Sequence, residues 1–122
     1  VGENVRGGTL ALWYAEELDS VLDRALVLDV RREDEWLTGH VRDALHIPNT
    51  ELRDRIDEVR EAAAGRPVRV MCASGVRSAI AHRVLTQAGM DSASLSGGIL
   101  TLRATLGSRA AAMLDTEAFI RG

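Results

Sequence analysis

The run Ala25-Leu26-Val27-Leu28-Asp29-Val30 is apolar at successive positions rather than at alternate ones. Side chains along a strand point to opposite faces in turn, so a strand covered on one side only alternates apolar with polar residues. A run that is apolar at both parities belongs inside a sheet covered on both faces, the usual setting of a parallel strand. Val68-Arg69-Val70-Met71 and Ala93-Ser94-Leu95 read as further strands. Leu45-His46-Ile47 is a brief strand stopped by Pro48, and Thr9 to Tyr14 a first extended segment.

Helical patterns lie between these runs. Ala15 to Leu22 and Arg32 to Leu37 read as short helices, the second ended by Gly39. From Thr50 to Ala64, Leu52, Ile56, Val59 and Ala63 recur at spacings of three or four, and Gly65 follows as a cap. From Ser78 to Ala88, Ile80, Ala81, Val84, Leu85 and Ala88 share one helix face, and Gly89 ends it. Gly97-Gly98 reads as a turn before a helix from Ile99 to Leu106, and the tail 107–122 as one more amphipathic helix. Strands alternating with helices predict an α/β fold of three layers, a central parallel sheet flanked by helices. Sites in such sheets lie beyond the carboxyl ends of the strands. Asp29 and Arg31 leave one strand there and Cys72 another, which places them at one edge.

Cys72 is the only cysteine. An intrachain disulfide is therefore excluded, and His40, His46 and His82 show no spacing of a metal motif. A buried free cysteine often acts as a small hydrophobe. Cys72 instead leaves an apolar run and enters the small-residue loop Ala73-Ser74-Gly75-Val76-Arg77-Ser78 just before a helical pattern. Backbone N–H groups of such a loop, with the start of a helix, favour a thiolate over a thiol. Cys72 is thus the candidate nucleophile.

Three segments together carry a family resemblance: Cys72-x-x-Gly75-x-Arg77-Ser78; Leu28-Asp29-Val30-Arg31 with Glu35-Trp36, Gly39-His40 and Ala44-Leu45-His46-Ile47-Pro48; and Leu95-Ser96-Gly97-Gly98. In that content and order the chain resembles rhodanese-family sulfurtransferases. The resemblance implies a rhodanese-like domain over 9–106, between a linker-like segment 1–8 and an extension 107–122. It implies that Cys72 takes a sulfur atom from thiosulfate or a persulfide, holds it as a persulfide and yields it to a thiol acceptor. Ala73, Ser74, Gly75, Val76, Arg77 and Ser78 would bind the substrate, with Asp29 and Arg31 in support. Arg77 would either grip an anionic donor or brace the loop against Asp29 or another carboxylate.

Two departures from the family pattern are visible. Arg42-Asp43 stands where Pro-Gly is usual, which affects a turn, and Ala73 stands where many active members carry Arg or another polar residue, which bears on the donor. Two other readings stay open: a non-catalytic docking or regulatory module, and a cysteine-dependent phosphatase or arsenate reductase. In the related phosphatases the loop is one residue longer than the four residues between Cys72 and Arg77, and the shorter ring suits one sulfur atom.

The opening Gly2 to Gly8, with Trp13 and Glu17-Leu18-Asp19, is similar to the junction leading into the C-terminal rhodanese domain of coenzyme A-disulfide reductase-type flavoproteins. This implies coenzyme A persulfide as a donor. It also implies an upstream reductase domain binding FAD and NAD(P)H, since no Gly-x-Gly-x-x-Gly fingerprint occurs here. Composition fits a single domain: 122 residues, 46% hydrophobic and 27% charged. A net charge of -3 and four scattered aromatics argue against a nucleic-acid surface. No apolar run approaches the roughly 20 residues that span a membrane. The start of the chain lacks the apolar core of a signal peptide, so a cytoplasmic location is expected.

Overall fold

The computed structural model describes residues 11–95, 97–106 and 114–115. Six of its strands are, in chain order, β1 (Leu12–Trp13), β2 (Leu26–Asp29), β3 (His40–Val41), β4 (Leu45–His46), β5 (Val68–Met71) and β6 (Ser92–Leu95). All but β3 join one parallel sheet in the order β1-β6-β5-β2-β4. The run that is apolar at both parities thus becomes an interior strand: Leu26 lies opposite Val68 and Asp29 opposite Met71.

Strand parity sorts the core into two layers. Val27, Met71, Ala93 and Leu95 face Trp13 and the helices α1 (Leu18–Arg24) and α5 (Gly98–Leu106), through Leu18, Val21, Ile99 and Leu102. Leu26, Leu28, Val68, Val70 and Cys72 face the other way. They meet Leu52, Val59 and Ala63 beside α3 (Ile56–Ala63), and Ala81, Val84 and Leu85 of α4 (Val76–Gln87). A short helix, α2 (Glu33–Trp36), follows β2. Trp13 closes the first layer by donating its indole Nε1–H to Val70 O at 3.1 Å. Among the described residues no helix is long and apolar enough to cross a membrane.

Four expectations need correction. The helix over 50–64 is not continuous: two 3₁₀ turns, Asn49–Glu51 and Arg53–Arg55, precede α3. The tighter winding starts at Pro48, whose carbonyl accepts from Glu51 N at 2.9 Å, and it seats the fully buried Leu52 against the sheet. Arg55 then leaves helical geometry at ψ 23° before α3 begins. Second, Gly65 caps α3 as expected, at φ +86°, but the left-handed turn begins one residue earlier, at Ala64 with φ 52°. Third, α4 starts at Val76 rather than Ser78, so Val76, Arg77 and Ser78 are helical. Fourth, Leu114–Asp115 is not helical but a strand, β7, antiparallel to β3, with Val41 opposite Leu114. The ladder gives β3 partners that a helix would have kept for itself. The rest of the expected tail helix, 107–113 and 116–122, lies outside the described residues, as do the segment 1–8, Thr9, Leu10 and Ser96.

Candidate active site

Cys72 continues the parity of β5, so its side chain points to the α3/α4 side and joins that core cluster at 1% exposure. It is therefore both the last residue of an apolar face and the first of a loop. Gly75 makes the loop short. At φ 106° it adopts a conformation open to glycine, and it starts α4 at the next residue. The turn aims two backbone donors at the sulfur: Gly75 N at 3.1 Å and Ser78 N at 3.3 Å from Cys72 Sγ. The Ser78 hydroxyl lies 3.6 Å from Sγ and donates to Gly75 O at 3.1 Å. Charge on the sulfur would be met by these donors and by the positive end of α4.

The loop is propped from behind by the turn that opens α5. Ile99 N donates to Cys72 O at 2.8 Å. Gly98, at φ +66°, lies so near that an added Cβ would sit 2.3 Å from Ala73 O and 2.5 Å from Cys72 O. Around the loop's rim Ser74 and Val76 are exposed, and Ala73 is half-buried.

Arg77 is gripped bidentately by Glu35, Nη1 to Oε1 at 2.7 Å and Nη2 to Oε2 at 2.9 Å. The same Glu35 accepts from Arg32 N at 2.9 Å and so caps α2. Of the two roles open to Arg77 the structure shows the brace, and the carboxylate is Glu35 rather than Asp29. Hydrogen bonding to Arg77 holds the Glu35 carboxyl well below its usual range, at about 2, and the same contact raises Arg77 further. A carboxyl lowered on folding adds stability that is complete above its unfolded value near 4.5 and is lost as pH falls towards about 2. Glu35→Gln should therefore flatten the stability profile between pH 4.5 and 2, read by denaturant titration at several pH values. An unchanged acid limb would show that the pair adds nothing.

Asp29 and Arg31 share the sheet edge with Cys72 but not its face, because Asp29 stands beside Met71. They form their own buried pair: Arg31 Nε lies 3.0 Å from Asp29 Oδ1, and Nη2 lies 2.8 Å from Asp29 Oδ2 and from Gly39 O. The pair ties the end of β2 to the entry of β3. Beside it Trp36 stacks with two imidazoles, with centroids 3.4 Å from His40 and 4.7 Å from His46. His46 Nε2 lies 2.8 Å from Arg31 O.

Ser94 and Glu35 complete the site beyond the residues expected. Glu35 stands in a recognised segment, but nothing local assigns its partner across 42 positions. Ser94 is signalled only by parity, since it and Ser92 turn the polar side of β6 towards α4, where Ser94 Oγ hydrogen-bonds Ser78 Oγ. Among the described residues no group of three or more His, Cys, Asp or Glu side chains is placed to hold a metal ion.

With this geometry in view, the profile of the family described as Rhodanese-like domain matches residues 12–104. Among solved structures, the reduced Bacillus anthracis CoADR-RHD is similar with TM-score 0.77 and 27% identity, over 88% of this chain and 19% of that one. A rhodanese-related protein of Thermoplasma volcanium gives TM-score 0.72 and 29% identity, over 78% of this chain and 92% of that one. A Pseudomonas aeruginosa structure titled thiosulfate sulfurtransferase gives TM-score 0.70 and 30% identity, over 84% of this chain and 20% of that one. Uncharacterized protein YqhL of Bacillus subtilis (strain 168) is 34% identical over 74 residues, 61% of this chain and 56% of its own length. The chain thus matches little more than half of that curated relative and about a fifth of two of the structures.

Proposed function

Because the chain belongs to the rhodanese-like domain family, we propose that it is a sulfurtransferase that carries sulfane sulfur on Cys72. The observation that carries this reading is the pair of backbone N–H groups, from Gly75 and Ser78, converging on one sulfur at the start of α4. The Cys72 thiolate attacks the outer sulfur of thiosulfate or of a persulfide. A Cys72–sulfur bond forms as the donor's sulfur–sulfur bond breaks, and the electron pair leaves with sulfite or with a thiolate. The terminal sulfur of the Cys72 persulfide keeps the negative charge and is then passed to an acceptor thiolate, restoring Cys72. The two half-reactions share one enzyme form, the pattern of ping-pong kinetics. The same N–H groups serve the thiolate and the persulfide, as preorganised donors serve other anionic centres.

Two details favour sulfur over phosphate. Cys72 is nearly covered, so the attacking sulfur admits a group as small as a terminal sulfur atom. Arg77, the cation a phosphate would need, is already held at both nitrogens by Glu35. Coenzyme A persulfide belongs to the proposal as donor, and a flavin-binding reductase domain carrying FAD and NAD(P)H as the upstream source. The supports are the similarity to CoADR-RHD and the small Ala73, which offers a dianion no side-chain clamp.

The test is direct because there is a single thiol. Folded, reduced protein incubated with thiosulfate or coenzyme A persulfide should gain the mass of one sulfur atom, removable by cyanide or a reductant, and Cys72→Ser should gain none. A wild type unchanged by every donor would leave the docking-module reading in its place. A higher kcat/KM for thiosulfate than for coenzyme A persulfide would remove the flavoprotein link alone.

A further inference from the structure

We infer that Ser94 is a positioning residue for Cys72, acting through the hydroxyl of Ser78 on charge that develops at the sulfur. The inference rests on the proposed use of Cys72 as a nucleophile and adds a residue from a different strand to it. Ser78 and Ser94 are 0% and 1% exposed, so each hydroxyl proton must find its acceptor inside the protein. Among the described residues the partner of Ser94 Oγ is Ser78 Oγ. The single Ser78 proton is directed to Gly75 O, so in this pair Ser94 donates and Ser78 accepts.

Ser78 has one proton of its own and two places to send it: Gly75 O at 3.1 Å, and the sulfur at 3.6 Å. While Cys72 is a thiol, its S–H points to Ser78 Oγ and the Ser78 proton goes to Gly75 O. When Cys72 ionises, the S–H is gone and the Ser78 hydroxyl can rotate towards the sulfur. Gly75 O is not stranded by that rotation, because it also accepts from Ala79 N at 3.2 Å. The donation from Ser94 persists in both states. It polarises the Ser78 O–H and so strengthens the bond Ser78 makes to an anionic sulfur.

The charged groups about the sulfur stay constant when position 94 changes. Arg77 of α4, whose charge is felt by Cys72, remains held by Glu35 of α2, and Asp29 remains paired with Arg31 at the end of β2. A substitution at 94 thus alters one hydroxyl and no charge.

The experiment follows the rate of Cys72 alkylation against pH, which reads ionisation of the only thiol without any sulfur transfer. Ser94→Ala should move the midpoint of the profile upward by about a few tenths of a pH unit, the share by which one donated hydrogen bond strengthens the next in a chain that ends on a charged group. Ser94→Thr and Ser94→Val have nearly the same shape and differ in the hydroxyl, so Thr should keep the wild-type midpoint and Val should shift as Ala does. Unfolding curves for all three identify any variant too unstable to use, and the Thr/Val pair decides the matter if Ala is lost. Coincident midpoints for Val and Thr would overturn the inference. Separate Thr and Val midpoints in a protein whose wild type never acquires sulfur would refute the transferase reading and leave the role of Ser94 standing.

Discussion

Asp29→Ala is expected to destabilise the protein by about 3–5 kcal/mol, the usual cost of leaving one member of a buried ion pair alone. Arg31 is 3% exposed and Asp29 is fully buried. Without the carboxylate, the guanidinium keeps Gly39 O as an acceptor but loses Asp29 Oδ1 and Oδ2. Asp29 Oδ1 also accepts from Arg31 N at 3.0 Å, so a backbone donor is orphaned with it. Chemical denaturation gives the value. The paired replacement of Asp29 and Arg31 by apolar residues should cost less than Asp29→Ala alone, because it removes the uncompensated charge. A loss under 1 kcal/mol for Asp29→Ala would mean that Arg31 escapes to water and that the pair does not fix the end of β2.

Gly98→Ala is the second large effect, and it strikes the cradle itself. At φ +66° a side chain adds about 1–2 kcal/mol of backbone strain. The new methyl would also meet the backbone of Ala73, with the carbonyl carbon at 2.4 Å, and neither backbone can yield as a flexible side chain would. Forced repacking of this kind costs a further 1–3 kcal/mol or so. Together they predict a loss of about 2–5 kcal/mol by denaturation, and persulfide formation should fall even where folding survives, because the push lands on the carbonyl that Ile99 N holds. Gly89→Ala is the control: its φ is +86°, yet nothing lies within 4 Å of an added Cβ, so it should carry the strain alone. Equal losses for the two variants would show that the close approach of Gly98 to the loop has no weight.

The central strand was legible because it is apolar at both parities. Leu26 to Asp29 could not be half-exposed, and the loop after Met71 had to lie at the strand ends. The start of α4 was less so, since Gly75 can either extend a loop or begin a helix, and only its left-handed turn decides. Helical periodicity over 50–64 survived as a buried stripe of Leu52, Val59 and Ala63 while the winding changed beneath it, because i,i+3 and i,i+4 spacings overlap over one turn. Partners across the fold had no local sign. Arg77 could reach any carboxylate near the strand ends, and it is the tertiary placement of α2 that gives it Glu35. Asp29 and Arg31 were at the expected edge, yet strand parity turned them from the sulfur towards the opposite layer.

The order in which the sheet is joined has a consequence for the nascent chain. Leu12 pairs with Ser94 and Trp13 with Leu95, so β1 finds its neighbour only when β6 has been made. Until then β5 has no partner on that side, and the turn that props Cys72, with the Ile99 amide that holds its carbonyl, does not yet exist. The prop behind the thiol, which the finished domain covers almost completely, is therefore in place only once β6 and the start of α5 have joined the fold.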